Sequence, residues 1–413
     1  MSVIISNGHG HFHLSNAAVA SETAGMLDRF VTGAYPTAYV SAWLQPFSRL
    51  SKNPRLLRWL QRGVGGIPNY RVKTCNISEF FSQVAVRFPR FGVNGNSRVQ
   101  FDAIALGTYR RCANRHVATS LAGIYHCRSG YGGISLKTAR AKGMKVVIDH
   151  SIAYPEALCQ LVACKGTYDR GKRIDLRPLW RMVEEDLDEA DIVLVNSDFV
   201  KKTLVDYGFE SNRVVVLYWG IDEQFESYLR GLRRNDPAPI RQVRFLFAGG
   251  FNRRKGADIL LEAIQGIHNP NWDLTVAGGI DSELVDKVRN IRNPKVRFLG
   301  PVMRSELARL MLSHDVLVFP SLAEGSARVI FEGMAAGMAI ITTPNAGSVV
   351  EDRRHGWIVP PGDAITVRNC MEMALEDRSL IASYGRNSVD LIQQEYHSSV
   401  YSERLIDLYQ KLT

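Results

Sequence analysis

Short runs of consecutive apolar residues alternate along the chain with longer stretches in which apolar positions recur every three or four residues. The runs are Val3–Ile5, Ile124–Cys127, Val146–Asp149, Ala190–Asn196, Val214–Leu217, Val243–Phe247, Trp272–Ala277, Val296–Leu299, Asp315–Phe319 and Ala339–Thr342. Each is brief, mostly apolar and closed by a turn signal, as a strand buried on both faces is. Helical spacing begins near Ser15 and covers Ile134–Lys142, Leu179–Glu189, Ala257–Ile267, Arg328–Ala336 and Tyr396–Leu412. Ser197 or Asp198 caps a further helix. Strand–helix–strand repetition predicts parallel sheets, because parallel neighbours need a crossover, and ligands then collect at the strand C-termini. Val99–Ala105 is expected to be one more strand.

The pattern is clearest from Val318 to Gly347. Pro320 stops a strand, Ser321–Ser326 forms a loop, and Val329, Ile330, Phe331, Met334 and Ala335 give the next helix a broad apolar face. Gly337 stands where a helix C-terminus takes a left-handed residue. Two carboxylates frame the loop–helix junction, Glu324 and Glu332, eight residues apart. A helical path of that length spans roughly 12 Å, about the reach from the sugar to the ribose of a nucleotide-sugar. The amides of Gly325, Ser326 and Ala327 lie at the helix N-terminus, where partial positive charge collects. Taken alone, two Glu at this spacing also fit solvated residues beside an ordinary helix.

The run Phe319–Gly347, with Glu324-Gly-Ser-Ala-Arg-Val-Ile-Phe-Glu332 at its centre, closely resembles the signature of the large retaining GT-B glycosyltransferase family marked by E-x7-E, the group 1 or family 4-like enzymes. Gly356-Trp-Ile-Val-Pro-Pro-Gly-Asp363 strengthens the resemblance, which extends over most of the chain. It implies an α/β GT-B fold: two Rossmann-like domains facing each other across a cleft, with a C-terminal helix crossing back. The expected division is 1–218 with 395–413 for the acceptor and 219–394 for the donor. The resemblance also implies that Glu332 holds the ribose, Glu324 meets the sugar, Val302 lies near the nucleobase and His150 reaches the sugar from the N-terminal domain. It places the first loop, with Gly8 and Gly10, at the cleft. His126 and Arg128, at a strand C-terminus, are expected at the cleft as well.

Ala248-Gly-Gly-Phe-Asn-Arg-Arg-Lys-Gly256 joins a strand to a helix through a glycine-rich loop with three cations. Gly249 and Gly250 let backbone approach a diphosphate, and Arg254 and Lys255 add charge. The family carries Gly-Arg where this chain has Gly249-Gly250, so Arg253 or Arg254 supplies the guanidinium. The loop is neither G-x-G-x-x-G nor a P-loop.

Charge and composition narrow the picture further. The 413 residues suffice for two cores, and 46% of them are apolar. The net charge of +10 favours an anionic partner. A nucleic-acid module would leave the paired Glu motif unexplained, so no nucleic acid is expected. No acidic residue occurs from Arg29 to Ser78. Within it, Trp43, Phe47, Leu56, Leu57 and Trp59 interleave with Arg49, Lys52, Arg55, Arg58 and Arg62. Residues 43–62 therefore fit an anionic membrane face, or equally a packed helical pair. No apolar run reaches membrane-spanning length, and the first residues read as a strand rather than a leader. Six scattered cysteines suggest a reduced compartment. The expected location is cytoplasmic, with peripheral attachment at the inner face of the membrane as the membrane reading of residues 43–62 implies.

Metal is not expected. His9, His11 and His13 have no Cys or carboxylate nearby in sequence, and Asp186-Leu-Asp188 falls on a helix, where Glu184, Glu185, Asp186, Asp188 and Glu189 read as a solvated face. The expected activity is metal-independent retaining transfer, with no cofactor, from a nucleotide-diphosphate sugar to a glycan or lipid-linked acceptor. A GT-B epimerase or a non-catalytic nucleotide-sugar binder are the alternatives; a phosphorylase would need a pyridoxal-binding lysine motif.

Overall fold

The computed structural model describes residues 2–10, 13–36, 65–87, 95–169, 178–232 and 242–412. Residues 43–62, where membrane contact is expected, and His11 lie outside them.

Two parallel sheets form the frame. The first contains β1 (Val3–Ser6), β2 (Leu27–Thr32), β3 (Val72–Thr74), β4 (Ile124–Arg128), β5 (Lys145–His150), β6 (Ile192–Val195) and β7 (Val214–Val216), in the order β3-β2-β1-β4-β5-β6-β7. The second contains β8 (Val243–Ala248), β9 (Trp272–Ala277), β10 (Val296–Gly300), β11 (Val316–Phe319), β12 (Ala339–Thr342) and β13 (Gly356–Ile358), in the order β10-β9-β8-β11-β12-β13. Helices cover both faces, so central strands such as β8, β11 and β12 are buried almost throughout. In each sheet the strand order reverses beside the first strand, between β1 and β4 and between β8 and β11. A crevice opens at the C-terminal ends of such a pair. Residues 7–10 leave β1 at one reversal, and the glycine-rich loop leaves β8 at the other.

The chain crosses between the halves twice. Residues 217–222 lead forward, and the helix Ser398–Lys411 returns, burying Tyr401, Leu405 and Tyr409 among Val3, Ile5, Leu14 and Phe30 of the first half. The crossings are tied where Ile221 N–H donates to the Tyr396 carbonyl at 2.9 Å.

Three sequence expectations are corrected. Val99–Ala105 is not a strand but part of the helix Gly95–Ala118. Ala105, Tyr109, Ala113 and Val117 are buried at every fourth position, a helical period that a window ending at Ala105 cannot display. Asp186 is not on a solvated face: its side chain is 1% exposed, and its carboxylate accepts from the Gly132 and Gly133 amides at 2.8 Å each and meets Arg110 at 3.4 Å. It caps the turn before the helix Ile134–Ala141. The cysteines are not all reduced, because Cys75 and Cys112 form a disulfide joining the end of β3 to the helix Gly95–Ala118. Their separation of 37 residues carries no motif. The strands β2 and β3, which no apolar run announced, are interrupted by Asp28, Arg29 and Lys73 or only three residues long.

Candidate functional site

After β8 the chain turns through Gly249–Gly256. Asn252 caps the turn Arg253–Lys255, its Oδ1 accepting the Lys255 N–H at 3.0 Å. Gly256 ends it at φ +75°, where a side chain would stand 2.0 Å from the Pro320 carbonyl oxygen, so only glycine lets the loops after β8 and β11 close on each other. They do so through backbone as well: Leu322 N–H donates to the Arg254 carbonyl at 2.8 Å.

That closure brings three expected site residues together. Arg254 Nη1 lies 2.8 Å from Glu324 Oε1 and donates to the Ala323 carbonyl at 2.6 Å. Lys255 Nζ lies 3.5 Å from the same carboxylate oxygen. Two cations on one carboxylate leave a net positive charge, and partial exposure leaves it able to meet an anion. Gly249 sits under this group, 3.2 Å separating the Lys255 Nζ from the place a Gly249 Cβ would take; Gly250 follows it.

Glu324 opens the segment leading to the helix Arg328–Ala335. Of the three amides expected to face a ligand there, the one on Ala327 is spent on the Ala346 carbonyl at 3.0 Å. Those of Gly325 and Ser326 meet no acceptor among the described residues and remain for a ligand. Glu332 stands in the second turn, its side chain 8% exposed, with Oε1 2.9 Å from Arg304 Nη2. Burial raises its pKa, against the opposing pull of Arg304. Arg304 also meets Asp222 at 2.5 Å, and Arg328 meets Asp222 at 2.6 Å. Val302, two residues before Arg304, is half-buried against the core of the second half. The sequence reading missed Arg304 and Asp222; their only signals were the nearness of Arg304 to Val302 and of Asp222 to the linker.

The first half contributes a different set. His13 Nε2 lies 2.7 Å from Asp149 Oδ2, and its ring packs on Trp219 with centroids 3.5 Å apart. The carboxylate that sequence proximity denied to His13 thus arrives from β5, 136 residues away. Burial nonetheless lowers the His13 pKa, Asp149 opposing. His150 is buried, with Nδ1 3.0 Å from Ser129 Oγ and Nε2 without a partner among the described residues; burial lowers its pKa to about 4. Arg128 stands at the end of β4, its guanidinium 5.1 Å from the Tyr131 ring centroid.

One expectation for this half is revised. His126 is not at the cleft: it is fully buried, and its Nδ1 lies 2.6 Å from the Tyr409 hydroxyl of the returning helix. Gly8 and Gly10 do not offer their amides to a ligand, since Gly8 N–H donates to the Tyr109 hydroxyl at 2.9 Å and Gly10 N–H to Glu79 Oε2 at 3.1 Å. Tyr109 and Glu79 therefore shape the loop. Neither had a sequence signal, being far from it in the chain.

The halves meet at the E-x7-E loop itself. Ser197 Oγ donates to the Gly325 carbonyl at 2.5 Å, and Asn345 Nδ2 donates to the Gly166 carbonyl at 2.8 Å. A side chain at Gly325 would stand 1.8 Å from the Ser151 carbonyl oxygen. Glu324, next to Gly325, is thereby held at the seam between the halves. No group of three or more His, Cys, Asp or Glu side chains among the described residues is arranged to hold a metal.

Residues 242–377 match the family described as Glycosyl transferases group 1, and residues 68–225 match Glycosyltransferase Family 4. D-inositol 3-phosphate glycosyltransferase of Corynebacterium kroppenstedtii is 26% identical over 256 residues, 56% of this chain and 55% of that one. The chain spans about half the length of the curated relatives it matches. Among solved structures, sucrose-phosphate synthase from Thermosynechococcus elongatus superposes with a TM-score of 0.67 at 17% identity, covering 100% of this chain and 99% of that one. The Anabaena protein HepE in complex with UDP superposes with a TM-score of 0.63 at 14% identity, over 100% of both chains. These likenesses agree with the two facing Rossmann-like halves observed here.

Proposed function

The chain belongs to the group 1 and family 4-like glycosyltransferases of GT-B fold, and from that premise we propose that it moves a sugar from a nucleotide-diphosphate sugar to a glycan or lipid-linked acceptor, with retention and without a metal or other cofactor. The meeting of Arg254, Lys255 and Glu324 where β8 and β11 end supports this reading most. Arg254 and Lys255, with the amides of Gly325 and Ser326, lie where charge develops on a departing diphosphate, a preorganised electrostatic role. Glu332 takes the ribose, Val302 borders the base, and His150 and Glu324 contact the sugar.

Glu324 acts by positioning rather than as a nucleophile, because a carboxylate already neutralised by two cations is a poor one. The acceptor hydroxyl attacks the anomeric carbon on the face the diphosphate leaves. The bond from that carbon to the diphosphate oxygen breaks as the new bond forms, and the acceptor proton passes to the departing phosphate oxygen. Arg128, Gly8 and Gly10 line the acceptor side.

The test is turnover of UDP-, GDP-, ADP- and dTDP-sugars, each with and without a chelator, with anomeric configuration of the product read by NMR. UDP comes first because HepE is solved with UDP. Retained configuration and activity in EDTA are expected. A protein that neither binds nor turns over any of these donors overturns the proposal, and binding without turnover favours a non-catalytic binder.

The location proposed is cytoplasmic, at an anionic membrane face reached through residues 43–62. Five cations at about 1 kcal/mol each would give reversible attachment. Sedimentation with anionic liposomes at low salt and release at high salt are expected; no sedimentation at low salt removes the membrane from the proposal.

A further inference from the structure

The geometry points to Arg304 as the positioning residue that makes Glu332 a reader of ribose, so that Arg304 sets the preference of this protein for ribonucleotide over 2′-deoxyribonucleotide. The inference rests on Glu332 being the ribose ligand, as proposed above. Arg304 opens the helix Arg304–Ser313, and Glu332 belongs to a different helix. Only the fold brings them together.

The two oxygens of Glu332 stand differently. Oε1 is held 2.9 Å from Arg304 Nη2. Oε2 has no protein donor among the described residues and is left to a ligand. A vicinal diol presents two hydroxyl donors, and an ionised carboxylate accepts both, whereas a neutral acid keeps one oxygen as a donor. Glu332 must therefore be charged to read a diol, yet burial favours its neutral form. Arg304 is the cation in hydrogen-bond contact with it.

Arg304 is itself held rigidly. Its Nη2 lies 2.5 Å from Asp222 Oδ2, and its guanidinium carbon 5.0 Å from the Phe225 ring centroid. Asp222 is anchored in turn, Oδ1 accepting the Phe225 N–H at 2.8 Å and Oδ2 meeting Arg328 at 2.6 Å. A carboxylate aimed by a guanidinium whose Nη2 is also held by Asp222, and which lies over the Phe225 ring, keeps one orientation, and a ligand then loses little entropy in meeting it.

The experiment measures, by titration calorimetry, the dissociation constants of UDP, GDP and ADP and of their 2′-deoxy counterparts. Wild type, Arg304→Ala, Arg304→Lys and Glu332→Gln are compared from pH 6 to 8. For the nucleotide bound best, wild type is expected to favour the ribo form by about 10-fold, the worth of one hydrogen bond to a charged group, with a flat pH profile. Arg304→Ala should lose most of that preference and regain part of it as pH rises, as Glu332 ionises. Arg304→Lys, which keeps a cation, should restore the flat profile. An Arg304→Ala protein with the wild-type ratio and a flat profile overturns the inference alone. Full ribo preference in Glu332→Gln overturns the ribose assignment beneath it. Failure of wild type to bind any of the nucleotides overturns the functional proposal and the inference with it. If Arg304→Ala does not fold, Arg304→Gln, which retains the stem and loses the charge, decides the same question.

Discussion

The two halves share a layout, a parallel sheet whose strand order reverses beside its first strand, yet fill the crevice in opposite ways. In the second half the crevice is lined by charges, most of them from short, continuous stretches: Arg254 and Lys255 within one turn meet Glu324 at 2.8 and 3.5 Å, and Glu332 of the same motif as Glu324 meets Arg304 at 2.9 Å. In the first half the corresponding contacts are buried and join groups drawn from far apart, such as His13 with Asp149 and Gly8 with Tyr109. A site for a diphosphate needs charge, which a local loop can supply. A site for an acceptor hydroxyl needs shape and directed hydrogen bonds, which distant elements impose.

The sharpest way to break that contrast is to remove charge from the second half. Lys255→Ala should lower kcat/KM by about 10²-fold or more, as loss of one oxyanion-type donor does, while nucleoside binding changes little. Steady-state kinetics and nucleoside titration together check it, and unaltered kcat/KM would mean that the charges of this half are structural.

The seam comes next. Gly325→Ala places a methyl group 1.8 Å from the Ser151 carbonyl oxygen of the other half, so the halves must part. A shift of about 1 Å costs about 10²-fold in rate. Thermal unfolding should change less than activity, because each half keeps its own core.

A smaller effect tests the first half by itself. Asp149→Asn removes the charge beside His13 and should raise the acceptor KM by about 10-fold, the order of one charge-assisted hydrogen bond. The dissociation constant of the donor nucleotide should stay at the wild-type value. A change in nucleotide affinity instead would show that the halves do not divide the work.

The smallest effect is in stability against pH. His126 and His150 are both held neutral by burial, with pKa values lowered to about 4. An unfolded histidine titrates near about 6.5, so between that pH and about 4 the unfolded chain binds more protons. Stability is then fully present above the unfolded value and is lost as pH falls, by at most about 1.4 kcal/mol per pH unit for each histidine. The melting temperature should drop on acidification through this window, and more shallowly in His126→Asn. Equal slopes would mean that His126 is not held neutral in the fold.

Most of this frame was legible in the residues, for reasons that differ by element. Ala339–Thr342 was found at its observed bounds because a strand buried on both faces is a continuous apolar run ended by turn residues. The cap at Ser197 was found because a hydroxyl before a helix satisfies an otherwise unpaired amide, here that of Val200. Arg254, Lys255, Glu324 and Glu332 could be singled out because their spacing and chemistry lie in two short stretches. By contrast, β2 carries Asp28 and Arg29 in its middle, and the helix Gly95–Ala118 begins with residues that suit a strand. Arg304 and Asp222 stand alone in sequence, and nothing local distinguishes them from surface charges.

What the residues determined by themselves is whatever depends on period and on neighbours: the alternation of strand and helix, the parallel sheets, and the loop chemistry of the second half. What only the tertiary structure decided is whatever depends on which distant groups meet. It turned Asp186 from an exposed charge into a buried cap, took His126 out of the cleft to face Tyr409, joined Cys75 to Cys112, and brought Asp149 to His13. Hydrophobic period is written into each segment, because every turn of helix or pair of strand residues repeats it. An ion pair or a shared proton depends on a distance across the fold, and sequence separation does not encode that distance.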